Sequence, residues 1–258
     1  MRYSRTVTAA AGATALLSLA GCGALAERRL DFSRTEAVKI TEITIAPGSG
    51  NIVVRTGPVS TVQIKRVVRY QGGEPGATYR IDGTVLAVDT DCGRRCSVSY
   101  DILAPQGVAV RGENGSGDLD LTDVSAVEVK VGSGSITVTR AFGTVTAETG
   151  SGDIELVDAA AAVSAHTGSG SIDGRGLGRG RVEAETGSGD ITLALATPAA
   201  VRARASSGSI DLTVPDGGYR IAASTGSGSK NLEVSDDPGA SSALDLETGS
   251  GDITVKRR

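Results

Sequence analysis

Asp153, Glu155 and Asp190 follow Gly-Ser-Gly tripeptides, and a pair of carboxylates facing each other across a cleft is what glycosidic-bond hydrolysis requires. A catalytic pair should be singular, however, whereas these carboxylates return every repeat or every second one. Sugar clefts also commonly offer aromatic platforms. Beyond the first 21 residues the tyrosines are Tyr70, Tyr79, Tyr100 and Tyr219, none of them between 115 and 210. Calcium is the other chemistry that glycine-aspartate repeats suggest, but the β-roll motif returns every nine residues with aspartate at its sixth position. Here the unit returns near every 18, and serine replaces aspartate in alternate repeats. Aspartates two rungs apart would stand ~9.6 Å from each other, too far to share an ion whose ligands sit at about 2.3 to 2.6 Å. The expectation is no catalytic residue, no metal and no cofactor.

His166, the only histidine, has no serine or cysteine nucleophile motif beside it and reads as a surface residue, with a pH sensor or metal ligand as the alternative. The glycine-rich turns are not phosphate loops, since no Lys-Ser or Lys-Thr pair follows them and no helix opens there. They are corners.

The amino terminus carries Arg2 and Arg5, then an apolar run ending Ala15-Leu16-Leu17-Ser18-Leu19, the layout of a secretory signal over 1–21 and too short for a membrane span. It closes on Leu19-Ala20-Gly21-Cys22, which resembles the bacterial lipobox. That resemblance implies a diacylated, palmitate-bearing lipoprotein with Cys22 at its mature amino terminus, on the outer face of the cytoplasmic membrane. The alternative is cleavage nearby, for instance after Ala26, which would discard Cys22. With Cys22 on lipid, Cys92 and Cys96 remain and can pair as a disulfide in an oxidising compartment. The spacing is CxxxC rather than the CxxC of redox centres. Residues 22–35 read as anchor and tether, reaching at most ~50 Å. From residue 22 onward there are 24 basic and 30 acidic side chains, a net of −6, which disfavours nucleic acid as a partner.

Gly-Ser-Gly or a close variant begins at 48, 115, 132, 150, 168, 187, 206, 226 and 249. Around each the chain alternates strictly, predicting two short strands per repeat. Val145 and Ala147, Val163 and Ala165, Val182 and Ala184 point inward before the corner. Ile154 and Leu156, Ile191 and Leu193, Leu232 and Val234 do so after it. With two phenylalanines and no tryptophan, this is a narrow interior. A meander of hairpins and a solenoid with direct rung-on-rung stacking could both use such a pattern.

Columns of outward residues favour the solenoid. Two residues before each corner stand Glu113, Lys130, Glu148, His166, Glu185, Arg204, Ser224 and Glu247. The residue opening the second strand reads Asp118, Ser135, Asp153, Ser171, Asp190, Ser209, Asn231 and Asp252, if the 226 repeat holds a two-residue insertion. Like charges directly opposite are destabilising, so in-register stacking would select such alternation. A third column, Asp120 to Thr254, places acid beside acid twice, at Glu155–Asp173 and at Asp211–Glu233.

The predicted architecture is all-β: a single-chain parallel β-solenoid of about 18 residues per coil, regular over 112–258. Residues 36–111 form irregular coils capping it or, alternatively, a separate small β-domain. Lys256-Arg257-Arg258 follow the last strand and would discourage end-to-end pairing.

The lipobox, Cys96-Ser97-Val98-Ser99-Tyr100 leading to Pro105, and the serial GSGDI and GSGSI units resemble the adhesin-type β-strand-repeat family, domain of unknown function 4097, over roughly 36–255. The resemblance implies a parallel β-solenoid at the cell envelope and brings no catalytic residues. The expected function is a non-enzymatic, adhesin-like interaction or scaffold module. Its partners would be the membrane, through lipid on Cys22, and an unidentified envelope protein or cell-wall polymer. The alternatives are a sensory accessory reporting envelope stress to a membrane partner and, less well supported, a polysaccharide-processing enzyme.

Overall fold

Period-two alternation lays down short strands throughout, and the computed structural model, which describes residues 27–258, contains 23 of them. The irregular part makes β1 (Arg28–Glu36), β2 (Glu42–Ala46), β3 (Ile52–Gly57), β4 (Val62–Tyr70), β5 (Tyr79–Asp82), β6 (Val85–Asp89) and β7 (Cys96–Pro105). Each later repeat contributes one strand before its glycine corner and one after. These are β8 (Ala109–Ser116) with β9 (Leu119–Thr122), β10 (Val127–Ser133) with β11 (Ile136–Thr139), β12 (Val145–Ser151) with β13 (Ile154–Val157), and β14 (Val163–Ser169) with β15 (Ile172–Leu177). They continue as β16 (Val182–Ser188) with β17 (Ile191–Leu195), β18 (Val201–Ser207) with β19 (Ile210–Val214), β20 (Tyr219–Ser227) with β21 (Lys230–Leu232), and β22 (Ser242–Ser250) with β23 (Ile253–Arg257).

The first strand of each pair enters an eleven-stranded sheet and the second a twelve-stranded one. Pairing between rungs is parallel and in register: Val145 lies between Val127 and Val163, and Ile154 between Ile136 and Ile172. This is the predicted solenoid, and its inward columns of Val, Ala, Ile and Leu are buried on the inner rungs; in the outermost coil Ile221 and Ala223 are half-buried and Leu232, expected to point inward, is exposed because no rung covers it. A buried polar column runs beside them. Thr149, Thr167, Thr186 and Thr248 each donate a hydroxyl hydrogen bond to a glycine carbonyl one rung away, at 2.8 to 2.9 Å. Thus a threonine can sit in the core without leaving its hydroxyl unsatisfied.

Space does not follow sequence at the two ends. The rung β2–β3 stacks directly on β8–β9, with β6–β7 outside it, although β6–β7 comes later in the chain. At the other end β22–β23 lies on β18–β19, and the earlier β20–β21 is outermost. Residues 36–111 therefore provide two rungs, and the rest of them goes into the antiparallel additions β4 on β7 and β5 on β6, with β1 added on β4. Residues 28–35, read above as part of the tether, lie in the strand β1. The Lys256–Arg258 charges also lie on an inner rung, so they do not guard the end of the stack.

Inward-pointing cations close both ends. At one, the Arg66 guanidinium stacks 4.2 Å from the Phe32 ring and 5.7 Å from that of Tyr79. At the other, Lys230 occupies the slot that isoleucine fills in seven inner rungs, in register with Ile253, and its ammonium donates to Ala223 O at 3.3 Å across the mouth. Asp236 Oδ1 accepts the outward N–H of Ile221 at 2.8 Å, and Tyr219 O accepts from the N–H of Asp237 at 2.8 Å. These contacts occupy part of the open edge of β20, a recognised protection of edge strands.

Candidate interaction surface

A corner ladder sets the first outer face. In spatial order its residues are Ser99, Asn51, Asp118, Ser135, Asp153, Ser171, Asp190, Ser209, Asp252 and Ser229. Each side chain accepts the backbone N–H of the next member: Asp153 Oδ1 from Ser171, Asp190 Oδ1 from Ser209 and Asp252 Oδ1 from Ser229, at 2.7 to 2.8 Å. Asn51 N–H donates to Ser99 Oγ at 3.1 Å, and Asp118 N–H to Asn51 Oδ1 at 3.1 Å. Ser135, Ser171 and Ser209 accept over longer distances, 3.3 to 3.4 Å. Ser229, not Asn231, holds this position in the 226 repeat, so there is no insertion. The third column changes with it: Asp211 is flanked by Thr192 and Thr254, leaving Glu155–Asp173 as the acid pair among the regular repeats. Arg175 answers that pair by bonding Glu155. The carboxylates with catalytic or calcium-binding potential are thus each engaged in rung-to-rung structure.

On the eleven-stranded sheet the column alternates acid with a base or an uncharged residue throughout once the true stacking order is used: Glu113, Lys130, Glu148, His166, Glu185, Arg204, Glu247, Ser224. Lys130 meets Glu148 at 3.3 Å, His166 Nδ1 meets Glu185 at 3.9 Å, and Arg204 meets Glu247 at 3.2 Å. These side chains are 38 to 62% exposed, so each pair contributes little to stability individually. Together they fix a flat face of alternating sign. The opposite corner repeats the idea at Asp123, Arg140 and Asp158, which share a left-handed backbone with φ of 61°, 56° and 56°. Arg140 grips Asp123 with two bonds, at 2.6 and 2.8 Å, and its hydrogen bond holds that carboxyl below the ordinary carboxylate range. Sequence reasoning missed this column because nothing in residue type marks a left-handed arginine.

Cys92 and Cys96 are joined between β6 and β7, with Cα atoms 5.4 Å apart, and the adjoining Arg95 carbonyl accepts from Gln71 N–H at 3.0 Å. The bridge pins a turn beside the first rung. Cys22 lies outside the described residues. Tyr100, buried at that end, donates to the Thr78 carbonyl, and burial pushes its hydroxyl up to about 12.

The sequence profile of the Toastrack family, DUF4097, matches residues 37–257. The chain belongs to the Toastrack family. Among solved structures, a proposed adhesin from Bacteroides fragilis aligns to 89% of this Toastrack chain and 97% of its own, at 17% identity and a TM-score of 0.49. A proposed cell adhesion protein from Clostridium sporogenes aligns to 90% of this chain and all of its own, at 12% identity and a TM-score of 0.37. No curated protein matches the chain.

Proposed function

We propose that this Toastrack chain is an exported lipoprotein, held on the outer face of the cytoplasmic membrane through Cys22. There it works as a non-enzymatic, adhesin-like interaction or scaffold module. The observation that carries the reading is the alternating charge column of the eleven-stranded sheet, repeated at the rung spacing of ~4.8 Å. A rigid face whose donors and acceptors recur at one interval suits a partner that is itself extended or repetitive, such as a cell-wall polymer or an envelope protein. Glu148, Glu185 and Glu247 are each held to a neighbouring rung, an arrangement that serves display rather than proton transfer.

Two measurements test this. Mass and detergent partitioning of the native protein beside Cys22→Ala examine the anchor: a diacylated native form and a mutant released from the membrane support it, and a native form without lipid removes it. Crosslinking in intact cells and cosedimentation with purified cell wall examine the face. Reversing Lys130 and Arg204 to glutamate should abolish capture while leaving the fold intact by circular dichroism. Unchanged capture would show that this face is not the contact.

A further inference from the structure

The charge of the molecule is unevenly divided. Residues 106–258 carry 13 basic and 21 acidic side chains, a net of −8, whereas β1 and β4 together carry six cations and two acids, a net of +4. Alternation along the strands puts Arg29, Lys65 and Arg69, all exposed, on the outer face together with Asp31, whereas Arg28, Arg34 and the half-buried Arg66 fall on the other face. Register places Arg29 directly opposite Arg69 and Lys65 opposite Ser33. Arg29 is held by Asp31 at 2.8 Å, but Arg28, Arg34, Lys65, Arg66 and Arg69 have no carboxylate within 4.0 Å among the described residues. This contrasts with the ladders, where base and acid alternate. On the outer face of the same strands a cleft of about 520 Å³ opens beside Lys65 and Arg69, and the two carboxylates that also line it are already engaged, Asp31 by Arg29 and Asp101 by Arg55 at 2.6 Å.

We propose that the outer face of β1 and β4 is a docking surface for an anionic phospholipid bilayer, with lipid phosphates meeting Lys65 and Arg69. Edge charge also keeps β1 from pairing with another sheet, but either sign would do that. An excess of one sign, set against a body of the opposite sign, additionally gives the molecule an orientation. Position agrees: Arg28 is the sixth residue after Cys22, so the strand would begin within about 20 Å of a lipid on that cysteine. The inference rests on the lipoprotein reading for this proximity alone; the charge and the cleft stand without it.

The test uses exported Cys22→Ala protein, which carries no lipid, floated with phosphatidylcholine vesicles with or without phosphatidylglycerol. Binding should require phosphatidylglycerol, weaken as salt is raised, and fall by at least about tenfold in Lys65→Glu/Arg69→Glu. Arg181→Glu/Arg220→Glu, the same charge change far from β1, should bind like the parent; circular dichroism and gel filtration confirm that both variants fold. Equal binding to neutral vesicles, no binding, or equal loss in both variants would overturn the proposal. So would binding to soluble polyphosphate with none to vesicles. Vesicle binding by this surface together with a native protein that lacks lipid would leave the surface standing and remove the anchor.

Discussion

Lys230 lies in register with Ile253 and spans the end of the stack to reach Ala223 O at 3.3 Å. In an inner rung the same slot is fully enclosed, and a charge buried there without a partner would be severely unfavourable. At the outermost rung the ammonium reaches water and a carbonyl together. This residue therefore selects which coil ends the stack. Ile253→Lys should destabilise the fold by more than about 3 kcal/mol in urea melts. Lys230→Ile should leave the monomer's stability within about 1 kcal/mol but promote end-to-end association, visible by sedimentation velocity. A monomeric Lys230→Ile protein would show that the edge is guarded by Asp236 and its loop alone.

The corner ladder gives a second expectation. In Asp190→Ala the Ser209 N–H loses its acceptor, at a cost of about 1 kcal/mol in chemical denaturation. Asp190→Asn keeps an acceptor oxygen and should recover most of that loss, as Asn51 already does for Asp118. If alanine and asparagine behave alike, the ladder bond is not what holds that corner.

Gly170 opens the rung to the tightest test of stacking. Its φ is 139°, and a Cβ there would collide with the carbonyl of Gly152 in the rung alongside. Gly170→Ala should cost more than about 2 kcal/mol, combining an unfavourable backbone with a clash. Gly76→Ala, where a Cβ meets nothing within 4 Å, should lie within about 0.5 kcal/mol of the parent. Thermal melts of the two proteins separate a stacking requirement from a general intolerance of change.

Tyr100 yields a pH dependence. Its hydroxyl is pushed up to about 12 by burial, against about 10 in an unfolded chain. Raising the folded value means its neutral-state stability is complete below pH 10 and lost as pH climbs from about 10 to 12. Tyr100→Phe should be less stable at pH 8, because the Thr78 carbonyl loses a donor, and should lose less stability over that alkaline window. Parallel slopes for the two proteins between pH 10 and 12 would assign the loss to other groups.

The bridge between Cys92 and Cys96 closes a five-residue loop, for which chain entropy contributes only about 2 kcal/mol. Cys92→Ser/Cys96→Ser should accordingly remain folded and shift the urea midpoint modestly. Unfolding on reduction would mean that the turn is essential to the first rung.

The repeats were legible because each Val-x-Ala before a corner and Ile-x-Leu after it obeys period two, and the acid-base columns have meaning only in register. Reading the columns in chain order misses the coil order; the acid-base rule in fact favours Glu247 over Ser224 beside Arg204, as the structure has it. The register of the 226 repeat failed for a related reason. A lysine in an isoleucine slot invites a two-residue shift until one knows that the slot faces open solvent. At the other end, β4 and β1 reverse direction through ordinary turns, and nothing in Val62–Tyr70 distinguishes an antiparallel neighbour from another rung. The left-handed column at Asp123, Arg140 and Asp158 depends on corner geometry that residue types do not encode.

The crossing of β22–β23 beneath β20–β21 also bears on how the molecule is made. Residues 219–232 leave the ribosome before the coil on which they come to rest, so this outer rung has no native seat until the last strand arrives. A nascent or clipped chain that stops before residue 242 would lose one coil by deletion and leave another stranded. The coil β22–β23 thereby acts as a completion check on the outer rung, and damage to it would expose two coils to proteolysis at once.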